Sequence, residues 1–133
     1  MAEPLLQMSG VRKSFAGVPA LRDAALAVAK GEVRALIGQN GAGKSTLIKV
    51  LTGVHRRDGG DAIWQGRPID PRSPREAQGL GIATIYQELT LVPQRSVTEN
   101  ITLGYEPRTR LGLVDRQEAD RRAREALGRF GIE

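Results

Sequence analysis

The sequence contains no cysteine, one histidine and few aromatic residues. Without cysteine, the chain cannot form a disulfide, use a thiolate nucleophile or bind zinc through sulfur, which fits a reducing compartment. The single histidine, His55, stands in a polar stretch with two arginines and Asp58, so we expect it to be solvent-exposed rather than catalytic or metal-binding. Aromatic residues make up 4% of the chain, too few for the stacking surfaces that bind RNA.

Long apolar runs and an export signal are also missing. The longest apolar run, residues 24–29, is far shorter than the about 20 residues of a transmembrane helix. We therefore expect a soluble, unexported chain, long enough at 133 residues for one domain. The net charge of +5 suits an anionic partner, but the arginines are scattered and no DNA- or RNA-binding motif occurs. The sequence predicts a position beside a membrane rather than a nucleic-acid partner.

What the sequence does contain is a phosphate-binding loop at residues 38–46. The stretch reads Gly-Gln-Asn-Gly-Ala-Gly-Lys-Ser-Thr and fits the pattern G-x-x-x-x-G-K-[ST]. Glycines allow backbone N–H groups to converge on phosphate oxygens, and the N-terminus of the following helix attracts the same anion. The predicted phosphate-binding residues are Gly38, Gln39, Asn40, Gly41, Ala42, Gly43, Lys44, Ser45 and Thr46.

Two side chains of this loop have predicted roles in the chemistry of a nucleoside triphosphate. The Lys44 ammonium is expected to reach the β- and γ-phosphates, and the Ser45 hydroxyl to ligate the Mg²⁺ that bridges them. The motif requires a preceding strand and a following helix. The apolar run at residues 32–37 predicts the strand, and an apolar stripe starting near Lys44 and stopping at Gly53 predicts the helix.

The N-terminal residues indicate β structure. Residues 4–15 and 18–29 read as two strands joined at Gly17, with Pro19 confining the second strand to an edge or a late start. Residues 21–26 also have helical propensity, so the second strand has a helical alternative. A further short strand is predicted at residues 61–66, after Gly59 and Gly60.

One more helix and one more strand are predicted in the middle of the chain. Ser73 is expected to cap a helix that has Pro74 at its first position and ends near Gly79. The β-branched run at residues 82–86 predicts a strand leading into a polar loop at Gln87. From the residues alone, an ordinary solvated glutamine is the favoured interpretation of Gln87, and a ligand role remains the alternative.

The last predicted helix begins after Asp115. Asp115 and Glu118 fit a capping box, and Gly131 is expected to end the helix. The charged residues between the apolar positions form its solvated face. The apolar face is formed by Ala119, Ala123, Ala126, Leu127 and Phe130.

With these pieces located, the sequence resembles the N-terminal part of ABC-transporter ATP-binding proteins, and within them the monosaccharide-importer type that serves ribose, xylose or galactose. The Tyr-Gln-Glu-Leu stretch at 86–89 and the Val-Thr-Glu-Asn-Ile stretch at 97–101 point to the sugar importers. The resemblance covers nearly the whole chain. It rests on residues 11–21, 38–47, 73–77, 81–89, 91–93 and 96–101.

The resemblance implies roles that the residues alone leave open. Phe15 falls where the family places an aromatic side chain that stacks on adenine. Gln87 falls on the family's glutamine loop, which is expected to contact Mg²⁺ and the attacking water. The resemblance thus implies ATP and Mg²⁺ as cofactors, with Lys44 and Gln87 as catalytic residues and Ser45 and Gln87 as metal ligands.

Three catalytic parts of the family are missing after Gln87. The sequence has no Leu-Ser-Gly-Gly-Gln signature, no apolar strand ending in Asp-Glu (the Walker B motif) and no later switch histidine. Asp115 ends an apolar run that imitates the Asp-Glu strand, but Arg116 stands where glutamate is required. We therefore expect a truncated chain that binds ATP but does not hydrolyse it.

The expected fold is α/β, a P-loop NTPase of the ABC ATPase type with an N-terminal antiparallel β subdomain and a core parallel sheet left incomplete by truncation. The antiparallel part is expected at about 1–31 and 60–70, the P-loop core at about 32–58 and 73–88, and the start of a helical region at about 89–133. In the family's topology, the strands near Val33 and Ile82 are separated by two later strands that this sequence lacks.

The resemblance implies the ATP-binding part of an importer that drives monosaccharide uptake at the cytoplasmic face of the cell membrane. Its implied partners are a second ATP-binding domain, transmembrane permease subunits and, indirectly, a periplasmic sugar-binding protein. One alternative is a non-transporting ABC ATPase of DNA repair or translation, which a co-purifying membrane subunit would exclude. A P-loop kinase or GTPase is a further alternative, and nucleotide competition would reveal a GTPase.

Overall fold

The computed structural model describes residues 4–85 and 91–132. The chain divides into two compact units, an N-terminal unit through Thr84 and a C-terminal unit from Ile85. Because the predicted strand at residues 82–86 and its loop run into residues 86–90, the Gln87 site lies outside the described residues. Among the described residues, no helix combines the length and apolar character that membrane crossing requires.

The N-terminal unit is built on an antiparallel hairpin. Strand β1 (Leu6–Phe15) pairs with β2 (Val18–Val28), with Leu6 opposite Val28 at one end and Phe15 opposite Val18 at the other. Ala16 and Gly17 form the turn with φ of 48° and 82°, the left-handed geometry that suits the twist of a two-residue hairpin loop. The predicted hairpin is confirmed, and the helical alternative for residues 21–26 is wrong.

Two further strands complete a sheet with the order β2-β1-β3-β4. Strand β3 (Gly59–Trp64) pairs antiparallel with β1, and the short β4 (Arg67–Pro68) pairs with β3. Strand β2 forms one edge, as the proline at its second position predicts, because proline cannot donate a ladder hydrogen bond. The Trp64 indole donates to the Leu80 carbonyl at 2.8 Å, which links β3 to the chain after the next helix.

Two helices pack on this sheet. Helix α1 (Lys44–Leu51) buries Leu47 and Val50, and Gly53 follows it with a φ of 72°, so the predicted end is confirmed. Helix α2 (Pro74–Gly79) begins at the predicted Ser73 cap, whose hydroxyl accepts from the Glu76 N–H. Side chains from the sheet, the helices and their flanks form one core. Its buried members are Leu6, Met8, Val11, Leu21, Leu47, Val50, Ala62, Ile69, Ala77 and Ile82.

The predicted strands at residues 32–37 and 82–86 are not formed in the part of the chain that the structure describes. Residues 32–37 and 82–85 belong to no ladder. The side chains of Val33, Ile37 and Ile85 are 99%, 92% and 88% exposed. A buried parallel strand exists only when neighbouring strands accept and donate its backbone hydrogen bonds, so an apolar sequence without such neighbours forms no strand.

The C-terminal unit contains two helices, α3 (Val97–Ile101) and α4 (Arg116–Gly128). Helix α3 was not predicted, although the Ser96 and Glu99 side chains form a complete capping box that its sequence spacing indicates. The Asn100 side chain closes the preceding turn. Its amide accepts from the Val92 N–H at 2.8 Å and donates to three carbonyls, those of Val92, Arg95 and Ser96, at 3.0–3.1 Å.

Helix α4 follows the prediction at its start and departs from it at its end. Asp115 caps the helix by accepting from the Glu118 N–H at 3.1 Å. The Glu118 carboxylate does not return to the cap as a capping box requires, because it pairs with Arg121 and Arg122. The helix ends at Gly128, before Gly131. Ala119 and Ala123 are buried as predicted, whereas Phe130 lies beyond the helix and is 82% exposed.

Candidate nucleotide-binding site

The loop before α1 has the tight backbone that its glycines allow. Gly41 and Gly43 have φ of 86° and 83°, a region that side chains with a Cβ rarely adopt. A Cβ at Gly43 would also lie 2.7 Å from the Leu21 Cδ2 and 2.9 Å from the Ala20 carbonyl oxygen. The loop therefore sits directly against β2, and only glycine fits at this point of contact.

Lys44 lies across the loop that precedes it. Its ammonium donates to the carbonyl oxygens of Gly38 and Gln39, at 2.5 and 2.7 Å. A lysine ammonium has three N–H donors, so this arrangement leaves one for a ligand while it holds the positive charge over the loop. The Ala42 N–H donates to the Gln39 carbonyl at 3.2 Å and closes the turn between them.

The start of α1 carries the features of an anion site. Gly43 occupies the N-cap position and supplies no side-chain hydrogen bond, so backbone donors of the first turn stay free of a capping side chain. The first helical bond runs from the Leu47 N–H to the Gly43 carbonyl at 2.9 Å. Ser45, in the first turn, is exposed and able to present its hydroxyl to a ligand. Positive charge, free N–H groups and a hydroxyl thus lie together.

Phe15 ends β1 with its side chain 41% exposed. Its ring meets the His55 ring with centroids 4.9 Å apart and planes at 72°, an edge-to-face arrangement. The Lys13 ammonium lies over the Phe15 ring, 5.5 Å from the ring centroid. His55 is therefore partly buried against an aromatic neighbour, and the prediction of a plainly solvent-exposed histidine is wrong.

An ion pair fixes the strand end that carries Phe15. The Asp58 carboxylate accepts from the Lys13 ammonium at 2.8 Å and from the Ser14 N–H at 2.6 Å. These two hydrogen bonds, with that from Lys13 the larger cause, lower the pKa of Asp58 below its ordinary value. The Asp58 N–H donates in turn to the Arg12 carbonyl at 2.8 Å. Backbone and side-chain bonds together restrain the residues before Phe15.

The hairpin register brings Phe15 and the phosphate-binding loop to the same end of the sheet. Phe15 pairs with Val18, and Lys13 pairs with Leu21. Leu21 is the residue against which Gly43 packs, so the loop meets β2 within three residues of Val18. Of the predicted site residues, Phe15 lies at the turn end of the hairpin, three residues along β2 from the Leu21 that Gly43 contacts. Gln87 lies outside the described part of the chain.

The neighbours of Phe15 are the part of the site that sequence reasoning missed. His55 and Lys13 are far apart in the sequence, and no motif joins them to Phe15. The sequence feature that pointed to the contact between His55 and Phe15 was the position of His55 shortly after the predicted helix α1. A lone histidine has many ordinary roles, so that signal was too weak to use.

The C-terminal unit has a separate cavity of about 440 Å³. Its lining mixes both signs of charge, with Arg95 and Arg116 facing the acidic Glu99, Glu106 and Asp120. In the described residues, every buried polar side-chain atom already has a hydrogen-bond partner. The cavity therefore offers no unsatisfied buried group that indicates a particular ligand.

Comparison with known proteins places the loop and its surroundings in a family. The family model for the ABC transporter matches residues 21–133, which include the whole 38–46 loop. The chain is 56% identical over 129 residues to ribose import ATP-binding protein RbsA 1 of Rubrobacter xylanophilus, covering 97% of this chain and 26% of the relative. It is 46% identical over 132 residues to a putative ribose/galactose/methyl galactoside import ATP-binding protein of Burkholderia cenocepacia, covering 98% of this chain and 26% of the relative.

Solved structures give the same result for the fold. The chain matches the crystal structure of a nucleotide-free ATP-binding cassette from an ABC transporter with a TM-score of 0.68 and 33% identity. That match covers 77% of this chain and 40% of the solved chain. The chain spans about a quarter of the length of the curated relatives it matches. By its P-loop fold and its match to the family model, the chain belongs to the ABC transporter family, in the part that forms the ATP-binding cassette.

Proposed function

We propose that the chain is the ATP-binding portion of an ABC importer ATPase that powers monosaccharide uptake across the cytoplasmic membrane. The observation that carries the proposal is the 38–46 loop, where Lys44 and the start of α1 direct positive charge and N–H groups to one place. The import of a sugar is supported by the names of the relatives, which are ribose and ribose/galactose/methyl galactoside import proteins. We propose only that the transported sugar is a monosaccharide.

In this proposal, the loop from Gly38 to Thr46 holds the triphosphate. Backbone N–H groups of the glycines and of the first helical turn donate to phosphate oxygens, and Lys44 adds a charge-assisted hydrogen bond to the β- and γ-phosphates. The bonds from Lys44 to the Gly38 and Gln39 carbonyls keep its ammonium in place before a ligand arrives. Such preorganisation lowers the entropy lost on binding.

Magnesium fits the residues at this site. Among the described residues, no cluster of three His, Cys, Asp or Glu side chains is able to hold a metal alone. Mg²⁺ usually takes only one or two protein ligands and completes its shell with phosphate oxygens and water. The exposed Ser45 hydroxyl suits that arrangement, and Gln87 is the second proposed ligand. When bound, Mg²⁺ neutralises charge on the phosphates.

Phe15 is the proposed platform for adenine. Its exposed ring lies at the end of the hairpin that contacts the phosphate-binding loop, so a nucleotide with its phosphates in the loop can bring its base to the ring. Stacking uses the flat face common to all bases and therefore adds affinity with little base selectivity.

The proposal separates binding from hydrolysis. Lys44 and the loop position and neutralise the phosphates, but the 133 residues contain neither the signature motif nor a strand ending in Asp-Glu. We propose that these residues bind ATP and do not hydrolyse it unaided, and that the whole protein, as an ATP hydrolase, works with a second ATP-binding domain. Its further partners are membrane permease subunits and, through them, a periplasmic sugar-binding protein.

We also propose how the chain divides into regions and where in the cell it is located. The chain is one partial nucleotide-binding domain, with its antiparallel part at about 1–31 and 60–70 and its P-loop core at about 32–58 and 73–88. The start of the helical region is at about 89–133. The location that fits permease partners is the cytoplasmic face of the membrane, where the chain is peripheral.

Magnesium dependence provides the test of this function. Titration calorimetry is expected to show that Ser45→Ala binds ATP about tenfold more weakly in excess Mg²⁺. The reason is that the Mg²⁺ ion loses one of its two proposed protein ligands, the Ser45 hydroxyl. In EDTA, Ser45→Ala and the unaltered chain should bind equally weakly. Ser45→Thr is the matched control, since it keeps the hydroxyl and should keep the Mg²⁺ effect. Equal affinities of Ser45→Ala and the unaltered chain in Mg²⁺ would contradict the proposed site.

A further inference from the structure

The partly exposed Phe15 ring is held by side chains from two parts of the N-terminal unit. His55 meets it at 4.9 Å and 72°, and Lys13 lies over it at 5.5 Å. One contact is aromatic and the other is a cation over the ring. With 41% of the side chain exposed, the ring is neither buried nor free to turn without losing these contacts.

His55 is itself fixed by its backbone and its neighbours. Its N–H donates to the Lys49 carbonyl at 3.0 Å, which anchors it to the last turn of α1. Two residues later, the Arg57 guanidinium donates to the carbonyls of Gly60 and Ile69, each at 3.0 Å. The histidine therefore contacts Phe15 from a restrained position, and α1 is the same helix that begins at the phosphate-binding loop.

We propose that His55 is a positioning residue for nucleotide binding, which sets the plane of the Phe15 ring so that a base can stack on it. The inference rests on the proposed function, because it concerns the same ATP site. An edge-to-face neighbour favours one ring orientation, so less rotational freedom is lost when the base arrives. Helix α1 thereby links both halves of the site, with the phosphate loop at its start and His55 just after its end.

Lys13 belongs to the same arrangement. Asp58 holds its ammonium at 2.8 Å and also accepts from the Ser14 N–H, so the cation over the ring is kept in place by the residue that restrains the strand end. The ring thus has a charged neighbour and an aromatic neighbour, each with its own support. His55 is the better residue to test, since replacing Lys13 also breaks the ion pair with Asp58.

The experiment compares two ligands, ATP and inorganic tripolyphosphate, both titrated with Mg²⁺. Tripolyphosphate occupies a phosphate site and has no base. His55→Ala is expected to weaken ATP binding about three- to tenfold, with tripolyphosphate binding unchanged. His55→Tyr keeps an aromatic ring and should restore ATP affinity. Arg56→Ala is the matched control, because it removes an adjacent charged side chain that pairs with Asp70. Any change in affinity that it causes should be the same for ATP and for tripolyphosphate.

The outcomes separate this inference from the proposed function. If His55→Ala weakens ATP and tripolyphosphate equally, the histidine has a structural or general electrostatic role and the inference is overturned. Unchanged ATP binding in His55→Ala, or no recovery in His55→Tyr, also overturns it. If the unaltered chain binds neither ligand, or if Lys44→Ala changes neither, the proposed function fails and the inference falls with it. Circular dichroism spectra confirm that each variant is folded before it is scored.

Discussion

Single residues at the site differ in what their surroundings permit. Gly43 has a φ of 83° and no room for a Cβ beside Leu21, so its identity follows from the backbone alone. Phe15 has room, because 41% of its side chain is exposed. Two explanations of its identity therefore remain, packing against its neighbours and the proposed binding of a base to the ring. Substitution at Phe15 is the way to separate these two explanations.

We predict that Phe15→Ala weakens ATP binding by about 1–3 kcal/mol through lost stacking, whereas Phe15→Tyr is nearly neutral. Tyrosine keeps the same flat ring that the base is proposed to stack on. Titration calorimetry on the two variants and the unaltered chain measures the difference. Equal losses in both variants would indicate that Phe15 is a packing residue whose shape cannot change.

Local sequence signals predicted those elements that depend only on nearby residues. Ser73, Pro74 and Asp115 act within one helical turn, and the structure has helices starting where they indicate. The hairpin also followed from its own turn residues. In contrast, the run at residues 32–37 is strand-like only in composition. It forms no strand because pairing depends on partners elsewhere, which a local pattern does not contain.

The residues of the candidate site also differ in whether nearby sequence or distant partners determine them. The loop at residues 38–46 could be identified as a candidate phosphate site because its glycine spacing and its lysine fit a motif over nine residues. Phe15 needed a family resemblance, since one aromatic residue has no local signature. The contact between Phe15 and His55 came only from the fold, because β1 and the segment after α1 meet through the sheet. Long-range neighbours of this kind are not encoded by spacing along the chain.

Helix α4 offers a prediction at the same scale, through its acidic first turn. Hydrogen bonds from Arg121 and then Arg122 lower the pKa of Glu118 from 4.5 to about 2. A carboxyl group with a lowered pKa stabilises the folded state above its unfolded pKa, and this contribution is lost as the pH falls from about 4.5 to about 2. We therefore expect α4 to lose stability over that range rather than near neutral pH.

Nuclear magnetic resonance titration of the Glu118 side-chain carbon tests this directly. The unaltered chain should show a midpoint near pH 2, and the double substitution Arg121→Ala, Arg122→Ala should move it toward 4.5. Glu99 on helix α3 is a suitable internal reference, because its hydrogen bonds are with Ser96 and neither substituted arginine contacts it. A Glu118 midpoint near 4.5 in the unaltered chain would show that the arginine pairs are not populated in solution.

For the whole molecule, the exposed apolar side chains before the phosphate-binding loop are the main liability. Val33 and Ile37 are almost fully exposed within a run of residues that favour β structure. Another chain can form strand pairs with such a run, which leads to aggregation. The chain spans about a quarter of the relatives' length. We therefore predict that these 133 residues alone are poorly stable and aggregation-prone on heating, and that the hairpin of β1 and β2 is more self-sufficient than the rest.

Light scattering during a thermal ramp measures this prediction. Replacing both Val33 and Ile37 by serine should raise the aggregation temperature, because it removes the β-forming run without disturbing a buried contact. Val97→Ser is the matched control, since Val97 is 63% exposed in helix α3 rather than in such a run. A soluble monomer with one cooperative thermal transition in the unaltered chain would refute the predicted instability.

The proposed function depends on the binding of Mg²⁺–ATP by the loop at residues 38–46, with Lys44 as the charged ligand. The most direct measurement is titration calorimetry of ATP into the unaltered chain, Lys44→Ala and Lys49→Ala, the last a lysine in the final turn of the same helix. Lys44→Ala should lose about 1.5–3 kcal/mol, more than tenfold in affinity, while Lys49→Ala should bind as the unaltered chain does. A loss of tenfold or less in Lys44→Ala, or an equal loss in Lys49→Ala, would contradict the account.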